Sequence, residues 1–71
     1  MTITNQQIEK ILAGSQTFSN LGFCMLVMHL RMKYAGNPSP VILVECAEEV
    51  RKFLNKTTVS MDADFATIQR L

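Results

Sequence analysis

With 71 residues and a formal net charge of +1, the chain amounts to one small domain without a strong electrostatic field of its own. A domain of this size buries only about 60% of the surface its unfolded chain exposes, and the usual staples are missing: two cysteines and one histidine form neither a disulfide framework nor a zinc set. A composition 48% hydrophobic and 18% charged excludes disorder, gives no general attraction for polyanions, and leaves a sticky surface.

The predicted elements are all helical. Thr4 is placed to cap a first helix from Asn5, with Gln7 at its N3 position and Ile3 and Ile8 as a hydrophobic staple. Ile8, Ile11 and Leu12 share one face of it, and Gly14 supplies the stop.

The second helix begins at Ser19, where Phe18 and Phe23 stand in the same staple relation, and runs to about Ala35, before Gly36, Asn37 and Pro38. It contains the most informative stretch of the chain, Leu21–Met32 (LGFCMLVMHLRM), which is apolar almost all round. A surface helix normally carries an apolar stripe of about 100° and a polar back. This one must be covered on more than one side. Gly22, near Ser15 and Ser19, is read either as a close-approach site or as a glycine tolerated in the first turn.

Ser39 and Pro40 offer an N-cap and an N1 proline for a third helix. Leu43, Cys46, Ala47, Val50, Phe53 and Leu54 recur at helical spacing, and Glu45, Glu48, Glu49, Lys52, Asn55 and Lys56 fill the complementary face. After a polar break at Lys56–Thr58, a short fourth helix is expected from about Ser60. Met61, Phe65, Ile68 and Leu71 would line it, with Asp62 and Asp64 at its positive end. The expected fold is therefore an all-α four-helix bundle, two short terminal helices flanking a longer helical hairpin, assembled as a homodimer. The alternative is an α/β fold with Phe23–Leu30 and Val41–Glu45 as paired strands.

The apolar stretch is too short for a membrane span, which needs roughly 20 residues. Lys10 as the only lysine or arginine in the first thirty residues does not suit a signal peptide. A cytoplasmic location is expected, and unpaired cysteines fit a reducing compartment.

Several groupings invite chemistry. Met25, Met28, His29 and Met32, with Cys24 beside them, present soft ligands on a helix, yet methionine more often fills adaptable cores and interfaces. His29, the only histidine, has no motif-placed nucleophile to serve and reads as the polar edge of an apolar helix. In an interface, its ordinary pKa near 6.5 would make association pH-sensitive. In an antiparallel hairpin, Cys24 and Cys46 would be offset by about 7 Å along the axes and separated further by the helix spacing, beyond disulfide reach. Asp62 and Asp64 begin a calcium-loop pattern that Ala66 and Thr67 break.

The expected function is a non-enzymatic protein–protein interaction or regulatory role, with Leu21, Met25, Met28 and Met32 as contacts, no cofactor and no metal. A phage or mobile-element origin is suggested only by the base rate for such small chains. The alternative is a small nucleic-acid-binding regulator using Arg51, Lys52 and Lys56, although the acidic residues of the same helix offset that patch. An enzyme is not expected, for lack of paired catalytic groups.

Overall fold

The computed structural model describes residues 3–37 and 39–71, with Ile3 described in its backbone alone. The chain runs α1 (Ile3–Ala13), β1 (Ser15–Ser19), α2 (Asn20–Ala35), α3 (Leu43–Phe53), β2 (Thr57–Met61) and β3 (Phe65–Arg70). The three strands form an antiparallel sheet in the order β1-β3-β2. One core joins Ile8 and Ile11 of α1, Phe23, Leu26, Val27 and Leu30 of α2, Cys46 and Val50 of α3, and Phe18, Ala66 and Ile68 of the sheet. The helices thus cover a single face of the sheet.

This overturns the all-α four-helix bundle and its hairpin. The fold mixes helix and strand, but not as the α/β alternative had it: Phe23–Leu30 lies within α2, and Leu43–Glu45 begins α3. The expected fourth helix is the β2–β3 hairpin. Thr57, Thr58 and Val59 are β-branched and suit a pleated surface, and along β3 burial alternates, with Ala66 and Ile68 inward and Phe65 and Gln69 exposed. Asp62 and Asp64 form a turn instead of opening a helix. The Asp62 carboxylate accepts hydrogen bonds from the backbone N–H groups of Asp64 (2.9 Å) and Phe65 (2.8 Å), which hold its pKa below the usual carboxylate range. The N-terminus of α2 grips this turn, Asn20 donating from its backbone N–H to Asp64 O and from Nδ2 to Ala63 O.

Both ends of α2 lie where the local chemistry of the sequence places them. Ser19 caps α2, its Oγ accepting from the Gly22 N–H at 3.2 Å. A Cβ on Gly22 would meet that same Oγ at 3.3 Å, so the close approach at this glycine is the cap itself. Gly36 closes α2 in the left-handed region at φ 65°, and the Gly36 and Asn37 N–H groups both return to Arg31 O. Phe18 and Phe23 are both buried, as their staple positions require. The first helix is already formed at Ile3, ahead of the Thr4 cap; the Ile3 side chain of the expected staple, and Pro38, lie outside the described residues.

α3 begins at Leu43, three residues beyond Pro40, and Ile42 at its cap makes no side-chain bond. The Ser39 and Pro40 carbonyls, which a helix starting at Pro40 would need for its first turn, accept from Arg31 Nη1 instead, at 3.5 and 3.2 Å. Ser39 itself bonds to the Asn37 side chain. The connection therefore doubles back along α2, and α3 runs in the same general direction as α2: Cys24 meets Cys46, Arg31 meets Glu49, and Tyr34 stacks on Phe53.

Candidate interaction surface

At about 100° per residue, Leu21, Met25, Met28 and Met32 occupy a narrow arc of α2. The buried residues Phe23, Leu26, Val27 and Leu30 occupy the opposite arc. Cys24 and Arg31 fall on the flank that meets α3, and His29 falls on the other, where its Nε2 lies 3.1 Å from Asn5 Oδ1 of α1. Helix α2 is apolar all round because it carries two apolar surfaces back to back. One is the core. The other faces outward, with Leu21 73%, Met25 54%, Met28 38% and Met32 56% exposed.

The flank toward α3 is organised by Arg31. Its Nη2 and Nε donate to Glu49 Oε1, and its Nη1 donates to the connection. Glu45 stands further off at 3.9 Å. The sequence carries a signal for the role of Arg31, a lone arginine between Leu30 and Met32, with Glu45 and Glu49 one turn apart on the next helix. Beside this ion pair, the Cys24 and Cys46 Sγ atoms lie 3.8 Å apart with both thiols free. The expected axial offset is absent because α3 does not fold back antiparallel to α2. Burial, and then the hydrogen bond between the thiols, push the Cys46 pKa up to about 12.

The soft-ligand grouping is split by the same geometry. The three methionines share the outer stripe, but His29 turns to α1 and Cys24 to α3. Among the described residues, no group of three or more His, Cys, Asp or Glu is placed to hold a metal ion. Arg51, Lys52 and Lys56 are all exposed. Lys52 lines a shallow groove with Glu45, Glu48 and Glu49, and its Nζ sits 5.4 Å from the centre of the Phe53 ring. Lys56 holds a positive φ of 58° in the turn before β2. Of the three cations, Lys52 is thus placed among carboxylates.

Among the described residues, no helix is long and apolar enough to cross a membrane. Comparison of the chain with protein-family models, with curated proteins and with solved structures finds no match.

Proposed function

We propose that this chain is a non-enzymatic interaction protein, regulatory in effect, that works as a homodimer through the outer stripe of α2. The observation that carries the reading is the exposure of Leu21, Met25, Met28 and Met32 on the side of α2 opposite the core. An uncharged patch of several large side chains on so small a monomer is the kind of surface that marks association. Methionine suits such a contact, being flexible enough to fill an irregular partner surface.

A second copy is the occupant that the stripe itself fits. A two-fold axis through the middle of the stripe sets Leu21 against Met32 and Met25 against Met28, apolar against apolar along the whole seam. Two free thiols suit a reducing compartment such as the cytoplasm.

Sedimentation equilibrium tests the reading. The wild-type chain should be dimeric at micromolar concentration. Met25→Lys, which places charges near the axis, should raise the dissociation constant by about tenfold or more while leaving the circular dichroism spectrum unchanged. A wild-type chain still monomeric at about 100 µM removes the homodimer.

A further inference from the structure

We propose that Cys24 and Cys46 are a poised thiol pair that closes to an intramolecular disulfide by exchange with a low-molecular-weight disulfide, clamping α2 to α3. The pair owes its proximity to the tertiary fold, since 22 positions separate the two residues and their Sγ atoms lie 3.8 Å apart. A disulfide bond is about 2.05 Å long, so the sulfurs must approach by slightly less than 2 Å. The element that has to yield is the first turn of α3, which carries Cys46. Its cap, Ile42, makes no side-chain bond, and the Cys46 thiol donates to the Ile42 carbonyl at 3.5 Å.

The two sulfurs have different access. Cys24 is partly exposed, and Cys46 is buried. Cys24 therefore reacts first: it loses its proton and its Sγ attacks one sulfur of the small disulfide RSSR. The S–S bond breaks, and one equivalent of RSH leaves. Cys46 then gives up its proton and attacks Cys24 Sγ, expelling the second sulfur as RSH. The protein has lost two hydrogens and two electrons, and the small disulfide has become two thiols. Burial of Cys46 makes this second attack the slower one, because the thiolate is the nucleophile. Arg31 and Glu49, the charged groups beside the pair, are engaged with each other.

The test is incubation of the reduced, folded full chain with oxidised glutathione at about pH 8, followed by acid quench and mass spectrometry. The expected product is a monomer lighter by about 2 Da, whose tryptic digest joins the peptide spanning residues 11–31 to that spanning 34–51. Its melting temperature should rise by about 10 °C or more, because the bond closes a long loop. Cys46→Ala should stop at a stable glutathione adduct on Cys24. Cys24→Ala should leave Cys46 unmodified when folded and reactive in urea. The proposal is overturned if the wild-type product is a persistent adduct or a disulfide-linked dimer, if no reaction occurs, or if Cys46 in folded Cys24→Ala reacts as fast as Cys24 does in the wild-type chain.

Discussion

Arg31 ties three pieces of chain together through one guanidinium: α2, which carries it, α3 through Glu49, and the connection through the Ser39 and Pro40 carbonyls. Its side chain is 15% exposed and that of Glu49 17%, whereas Glu45 is 52% exposed and more distant. Removing one partner of a largely buried, hydrogen-bonded pair leaves the other charge unpaired, a loss that reaches several kcal/mol, while exposed pairs contribute little. Glu49→Gln should therefore lower the stability read from urea unfolding by about 2 kcal/mol, and Glu45→Gln should change it by less than about 0.5 kcal/mol. Equal losses from the two substitutions would show that Arg31 is held by diffuse charge and not by the Glu49 contact.

At the scale of elements, the hairpin shows where local pattern misleads. Met61, Phe65 and Ile68 satisfy a helical period, but only Ile68 is buried; Phe65 is 51% exposed on the outer sheet face. Ile68→Ala should cost about 3 kcal/mol, in the range for emptying a packed core site. Phe65→Ala should cost under about 1 kcal/mol. A helix presenting both to the core would give large losses for both, and chemical denaturation of the two variants separates the cases. What the sequence made legible was what neighbouring residues encode: the Ser19 cap, the Gly36 stop, the amphipathic stripe of α3, and the apolar surplus of α2. The strands were not legible because their partners lie far along the chain. Thr17 of β1 bonds to Thr67 of β3 across 50 positions, and nothing within Ser15–Ser19 announces that partner. The outer stripe was found by elimination, as apolar surface in excess of what the chain could bury. The thiol pair was missed because an assumed hairpin gave α3 the wrong direction.

For the molecule as a whole, β3 is the strand with neighbours on both sides, and α2 is the helix that contributes most to the core. Local opening of the edges is cheaper than loss of either. Amide exchange should accordingly be slowest at Phe23, Leu26, Leu30, Ala66 and Ile68, and fast across the connection at residues 39–42. Exchange as fast in β3 as in that connection would mean that the sheet is not part of the cooperative core.

The strand order also bears on when the molecule can take shape during synthesis. β1 and β2 never touch; each finds its partner only in β3, the last of the three to be made. Until residues 65–70 have left the ribosome, the nascent chain holds two strands with no middle, and the core apolar side chains of α2 have no sheet to close over. The sheet must therefore close late, and during that interval both surfaces of α2, the future core and the outer methionine stripe, are open to any chaperone that binds exposed apolar segments.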